Sequence, residues 1–279
     1  MPGKVWLITG ASRGLGMQWS IAALERGDVV AATARDTATM DALRDIYGDA
    51  LEPIQLDVTD RAACFAAVKT AHDRFGRLDI VVNNAGYGQY GFIEELSESE
   101  ARTQLDTNFF GPLWITQAAL PYLRAQRSGH IIEVSSIGGV TAFANLGIYH
   151  ASKWALEGMA QSLAAEVAPF GVRVTIIEPG GYATDWLTAA PYAEALDAYA
   201  AQREDFEVAR TDRRKDLGDP EAARSAILEI VDAEEPPLRV FLGKYAFPHA
   251  KADYERRLAE WERWQPLAER AHSMKSAEI

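Results

Sequence analysis

Short apolar runs rich in β-branched residues alternate with longer stretches of helical period over roughly the first 180 positions. KVWLIT (4–9), DVVAATA (28–34), LEPIQL (51–56), LDIVVN (78–83), HIIEVS (130–135) and VRVTII (172–177) are mostly apolar, the pattern of strands covered on both faces. Between them the apolar positions follow a helical spacing. In SIAALERG, Gly27 is placed to end a helix; in TDRAACFAAVKTAHDRFG, Thr59 or Asp60 starts one and Gly76 closes it. Parallel neighbours need crossover connections, so this alternation predicts an α/β fold, a doubly wound parallel sheet flanked by helices. LRVFLG (238–243), after EEPP, adds a seventh strand.

Two regions break the rhythm. Residues 185–217 are alanine-rich and charged without a strand pattern, and they stand where a substrate-covering insert belongs. Residues 250–272 predict an amphipathic helix, with Tyr254, Leu258, Trp261 and Trp264 along one side; with the tail to 279 they form a C-terminal helical extension. The stripe reads as packing on the domain's own surface, with a subunit contact or pocket cover as the alternative. No repeat or linker divides the chain, so 1–279 reads as a single domain.

Composition narrows the class of function. With 279 residues, 48% of them hydrophobic, the chain has ample material for a core. A formal net charge of −12 argues against nucleic acid as a partner, because phosphate-backbone binding rests on clustered Lys and Arg. The single cysteine, Cys64, has no disulfide partner, and no Cys/His cluster has zinc spacing, so no metal is expected. These features, with no window approaching the ~18 apolar residues of a membrane span, predict a soluble protein in the reducing cytoplasm.

Directly after the first strand comes TGASRGLG (Thr9 to Gly16), followed by a helical segment. Gly10 permits the tight turn, Gly14 lets the backbone approach a pyrophosphate, and Gly16 lets helix and sheet pack closely. The helix N-terminus supplies N–H groups to the phosphates, so Gly10, Ser12, Arg13, Gly14, Leu15 and Gly16 are candidate cofactor contacts. At the end of the second strand, ATARD places Ala34 where a carboxylate would hold the ribose of NAD, and Arg35 follows. Arg13 and Arg35 together favour the 2′-phosphate of NADP (NADPH) over NAD; the alternative has Asp36 turned inward to the ribose.

YHASK (Tyr149 to Lys153) puts a phenol and an ammonium four residues apart, on one face of a helix. A free phenol, with a pKa of about 10, is a poor base at neutral pH. A neighbouring ammonium favours the phenolate and predicts a lowered pKa, as acid/base catalysis requires. His150 points about 100° away on the same helix and reads as structural.

In order along the chain stand TGASRGLG, Asp57–Val58, NNAG (83–86), Asn108, Ser135–Ser136, YHASK and PGGYAT (179–184). This ordered set resembles the short-chain dehydrogenase/reductase family over residues 4–184, plus the late strand. The resemblance implies a Rossmann-type fold of seven parallel strands. It implies that Tyr149 exchanges the proton with substrate oxygen while hydride moves between nicotinamide and carbon, and that Lys153 holds the nicotinamide ribose. It further implies that Ser136, the second serine of the motif, bonds the substrate oxygen, and that Asn108 holds a water linking Lys153 to solvent. Asp57 and Val58 would meet the adenine, with a turn aspartate as the alternative reading of Asp57. Asn84, Ala85 and Gly86 would lie against the cofactor; Pro179 and Gly180 would shape the nicotinamide pocket, and Thr184 would meet the carboxamide or a phosphate. The family's pocket loops fall on 87–92, 138–147 and the insert from Trp186. There Tyr90, Phe143, Leu146, Tyr182 and Trp186 suggest a small-molecule substrate, an apolar ketone or alcohol.

The complete Asn–Ser–Tyr–Lys set points to an NADP-dependent oxidoreductase interconverting a secondary alcohol and a ketone. Its competitors are a non-enzymatic NADP-binding redox regulator and other chemistry on the same site, such as isomerisation, dehydration or dehalogenation. The resemblance also implies a homodimer or homotetramer through helices near 100–126 and 149–168.

Overall fold

The computed structural model describes residues 3–186, 190–213 and 216–272. Seven strands form one sheet: β1 (Val5–Thr9), β2 (Val29–Ala34), β3 (Leu51–Gln55), β4 (Ile80–Asn83), β5 (Gly129–Val134), β6 (Val172–Pro179) and β7 (Arg239–Leu242). Every pair is parallel, in the order β3-β2-β1-β4-β5-β6-β7. The helices are α1 (Gly14–Glu25), α2 (Asp41–Tyr47), α3 (Arg61–Phe75), α4 (Glu98–Leu105), α5 (Gly111–Gln126), α6 (Gly147–Val167), α7 (Ala200–Arg213), α8 (Ala223–Asp232) and α9 (Ala246–His272).

The apolar strand runs are explained by burial on both faces. Val5 and Leu7 of β1 point into one core with Cys64, Val68, Ile115, Leu123 and Ile131, under α3, α5 and α6. Trp6 and Ile8 point into the other, with Trp19, Val30, Met40, Val82 and Ile227, under α1, α2 and α8. Each fully buried Leu, Ile or Val contributes about 1.5–3 kcal/mol, which is why two closed faces outweigh the cost of long crossovers. Trp6 and Trp19 are wholly buried, and both satisfy their indole N–H: Trp6 Nε1 donates to Asp28 Oδ2 at 2.8 Å and Trp19 Nε1 to Ala223 O at 3.2 Å.

The helix ends follow the sequence. Asp60, rather than Thr59, caps α3, its Oδ1 accepting from Ala63 N at 3.0 Å, and Gly76 closes it at φ +77°. The C-terminal helix begins at Ala246, four residues before the expected 250, and the tail 273–279 lies outside the described residues.

Strand order reverses between β1 and β4, and the crevice at their carboxyl ends is where open α/β sheets bind ligands. The loops after β1, β4, β5 and β6 all open there. One irregularity serves the same place: a π-turn, Asp106–Phe110, joins α4 to α5 and carries the fully buried Asn108. Single π-turns inside helices recur at functional sites.

Candidate active site

The glycine loop leaves β1 with backbone that only glycine adopts easily. Gly10 (φ +65°) lies so near β4 that an added Cβ would sit 2.8 Å from Ala85 Cα. Gly14 (φ +58°) faces Thr184, whose methyl would be 3.5 Å from such a Cβ, so the loop after β6 stands across from the phosphate loop. At Gly16 a Cβ would meet Asn84 Nδ2 and Gly10 O at 2.5 Å. Asn84 spends its side chain here, donating to Thr9 O (2.9 Å) and Gly10 O (3.0 Å), so the amide braces the loop. A Cβ on Gly86 would lie 3.1 Å from Asn108 Oδ1 and 3.6 Å from Lys153 Nζ. Backbone left bare on this crevice, with the first turn of α1 at one end, fits a flat dinucleotide.

At the end of β2 Arg35 is exposed, as is Arg13 at the start of α1; Ser12 and Leu15 are half-buried. Asp36 Oδ1 accepts from Ala38 N at 3.0 Å, which ties that carboxylate to a local turn. Asp57 also closes a turn, its Oδ1 accepting from Thr59 N (3.0 Å) and Thr59 Oγ1 (2.8 Å). Those bonds and the nearby Arg35 guanidinium, working against partial burial, hold the Asp57 carboxyl below its ordinary range. Val58 is buried against Gly111.

The four residues singled out for chemistry meet at the C-terminal end of β5. Tyr149 and Lys153 lie one turn apart on α6, both buried. Lys153 Nζ donates to Val134 O at 2.7 Å. Ser136 follows β5; its Oγ accepts from Gly138 N at 3.0 Å and also hydrogen-bonds the Tyr149 phenol. Asn108 reads both ends of one residue, accepting from Tyr87 N (3.1 Å) and donating to Tyr87 O (2.9 Å), and it reaches Ser152 Oγ at 3.1 Å.

The electrostatics differ from the expectation of a lowered phenol pKa. Tyr149 is only 6% exposed, and burial pushes it up to about 12 against the opposing bond to Ser136. The ammonium is not what sets the phenol: Lys153 is itself pushed down to about 8 by burial, with Glu133 and Glu157 opposing the shift. The phenol is therefore held protonated across neutral pH, the form from which a proton can be donated.

The profile of the family described as short chain dehydrogenase matches residues 4–194. The chain belongs to the short-chain dehydrogenase family. Oxidoreductase BOA17 of Botryotinia fuckeliana is 38% identical to it over 274 residues, covering 95% of this chain and 98% of that one. The 3-ketodihydrosphingosine reductase of Bacteroides thetaiotaomicron is 34% identical, with coverages of 87% and 89%. A short-chain dehydrogenase from Streptomyces avermitilis superposes with a TM-score of 0.89 at 39% identity, over 96% of this chain and 100% of that one. The protein is thus an NAD(P)-dependent dehydrogenase/reductase with the Rossmann-type fold.

In this short-chain dehydrogenase the phenol sits under an aromatic cover. Tyr90, Leu146, Tyr149 and Phe206 form one cluster with Trp186, whose ring centroid is 5.4 Å from that of Tyr149. Phe206, the lone aromatic of α7, was not foreseen. Two expected pocket residues lie elsewhere: Phe143 packs with Val140 and Ala246, and Tyr182 packs behind the sheet and against Gly218. The insert is fastened by backbone bonds of Tyr90 to Pro191 and Ala193, by Tyr199 Oη donating to Glu94 Oε2 at 2.7 Å, and by Glu95. Glu95 accepts from Phe92 N and Leu196 N, both at 2.9 Å, and pairs with Arg203. His150 is structural, as read: Nε2 accepts from Phe143 N and Nδ1 donates to Gly138 O, both at 2.9 Å, fixing the loop after Ser136.

Beneath α6 the dehydrogenase buries an ionic cluster that the sequence did not announce. Glu133 Oε1 accepts from Asn83 Nδ2 (2.9 Å) and Thr116 Oγ1 (3.1 Å), and burial raises its carboxyl to about 7. Arg239 Nε lies 3.0 Å from Glu157 Oε2 and 3.5 Å from Glu178 Oε1. Burial, then the neighbouring Glu157, raises Glu178 to about 8. Its stabilising, protonated form is present in the fold at low pH. As pH climbs from the ordinary 4.5 toward 8 the unfolded chain ionises first, so stability falls. Glu178 therefore contributes a fall in melting temperature between about pH 5 and pH 8, and Glu178→Gln should remove that contribution, making the measured slope less negative. An unchanged slope in the variant means the carboxyl does not hold its proton.

Proposed function

We propose that the dehydrogenase reduces an apolar ketone to a secondary alcohol with NADPH. The observation that carries this reading is the buried Tyr149 phenol, kept protonated beside Ser136 at the base of an aromatic pocket. When held in this cradle, NADPH would supply the hydride for the carbonyl carbon. Ser136 Oγ donates to the carbonyl oxygen as negative charge grows there, and Tyr149 gives that oxygen its proton. Lys153, held at Val134 O, places its ammonium under the crevice near Gly86, where it bonds the nicotinamide ribose and keeps positive charge beside the phenol as it ionises. Asn108, fixed on Tyr87, orders a water between Lys153 and solvent, the route by which the phenol is reprotonated.

The preference for NADPH is supported by the exposed Arg35 and Arg13, and by Asp36 being engaged with Ala38. Asp57 and Val58 would flank the adenine, Ala85 and Gly86 would meet the ring systems, Pro179 and Gly180 would close the nicotinamide side, and Thr184, across from Gly14, would meet the carboxamide or a phosphate. Reduction of a hydrophobic ketone also agrees with the name of the Bacteroides relative. The protein works in the cytoplasm as a homo-oligomer.

The test is absorbance of NADPH and NADH at matched concentration against a ketone panel graded from short aliphatic to fused aromatic. Expected is NADPH oxidation stoichiometric with alcohol, rising with the apolar surface of the ketone. Product without nicotinamide consumption would show that another chemistry occupies the site.

A further inference from the structure

Helix α9 leaves the body of the protein with its apolar side uncovered. Its first turns are anchored: Ala246 and Ala250 are buried, and His249 packs between Phe143 and Tyr245. From Leu258 to His272 every residue is exposed. Tyr254, Leu258, Trp261, Trp264 and Ala268 fall along one stripe of this 27-residue helix, which is about 40 Å long. Leu258 is 51%, Trp261 59% and Trp264 57% exposed. The patch continues onto α6, where Arg257 spans exposed Trp154 at 4.8 Å and Tyr254 at 5.4 Å. Contiguous apolar surface of this kind marks an interaction site.

We propose that α9 is a pairing arm whose occupant is the same arm of a second copy of this chain. The charges flanking the stripe choose the partner. Residues 251–272 carry five Lys or Arg and five Asp or Glu, so the arm is balanced within a chain of net charge −12. The proximal charges are already paired along the helix, Arg256 and Arg257 with Asp253 and Lys251 with Glu255. Beyond them Glu260, Glu262, Arg263, Glu269 and Arg270 interleave both signs. In an antiparallel twofold pairing centred between Glu262 and Arg263, Trp261 meets Trp264 and Leu258 meets Leu267 while Glu262 opposes Arg263, Glu255 opposes Arg270 and Arg256 opposes Glu269, so this is the stretch on which two acidic chains can approach without net repulsion. An anionic membrane surface selects a Lys/Arg-rich polar face instead, and among the described residues no helix is long and apolar enough to cross a bilayer.

The test is the mass of the full chain by light scattering at micromolar concentration, for the wild type and for Trp261→Glu/Trp264→Glu, with Leu258→Glu as a second variant. Far-UV circular dichroism and turnover per subunit serve as controls, since none of these side chains belongs to the site. Expected is a twofold lower mass in both variants, and a blue shift of wild-type tryptophan emission on concentration that the double variant lacks. Equal masses for wild type and variants overturn the proposal. So does a wild-type monomer that cosediments with phosphatidylcholine or phosphatidylserine vesicles, which would make the stripe a lipid contact.

Discussion

Tyr149→Phe is expected to lower kcat for ketone reduction by about 10²–10⁴-fold, the range for loss of a positioned general acid. Phe keeps the ring against Trp186 and removes one oxygen, so the pocket and the dinucleotide cradle stay intact. Binding of NADPH, followed by fluorescence titration, should therefore be unchanged. The wild-type pH profile follows from the two shifts. With Lys153 near 8 and the phenol near 12 in the free protein, the acid form of Tyr149 persists across neutral pH, and the reduction rate falls only on the alkaline side as Lys153 loses its charge. Rapid turnover by the variant would remove Tyr149 from the mechanism, whatever the fold suggests.

Arg35→Ser is expected to raise KM for NADPH by about 10–100-fold, the loss of a charge-assisted contact worth about 1.5–3 kcal/mol. KM for NADH should hardly move, because the contact is to a phosphate that NADH lacks. The substitution lies on the surface beyond β2, far from the proton-transferring groups, so kcat at saturating cofactor should be kept. Equal rises for both cofactors would mean that Arg35 supports the turn rather than reads the phosphate.

What the sequence made legible was whatever is written locally. The five inner strands could be placed because strands buried on both faces are nearly continuous apolar runs, the half-buried edge strands β3 and β7 because short apolar runs recur between helical segments, and the glycine loop because its glycines follow one strand directly. Tyr149 and Lys153 were legible as a helical pair. What escaped was set by long-range packing. The carboxylates of Glu133, Glu157 and Glu178 come from two strands and a helix, and nothing near any one of them signals the others or Arg239. The direction of the Tyr149 shift was missed for the same reason: a phenol four residues from an ammonium suggests easy ionisation, while the cover from Trp186, Tyr90 and Phe206 comes from distant segments and decides the opposite. Phe143 and Tyr182 pack in clusters other than that of Tyr149, because a loop's aromatic content does not say which way it folds.

Five of the seven tryptophans make the chain its own set of optical reporters. Trp6 and Trp19 are fully buried in the core, Trp186 lies on the Tyr149 phenol, and Trp261 and Trp264 are exposed in the single chain. Indole emission moves to longer wavelength with hydration. Loss of the sheet is thus read at the blue edge of the spectrum and events on the arm at the red edge, while quenching of Trp186 registers a ligand arriving above Tyr149, so three processes can be followed in one unlabelled sample.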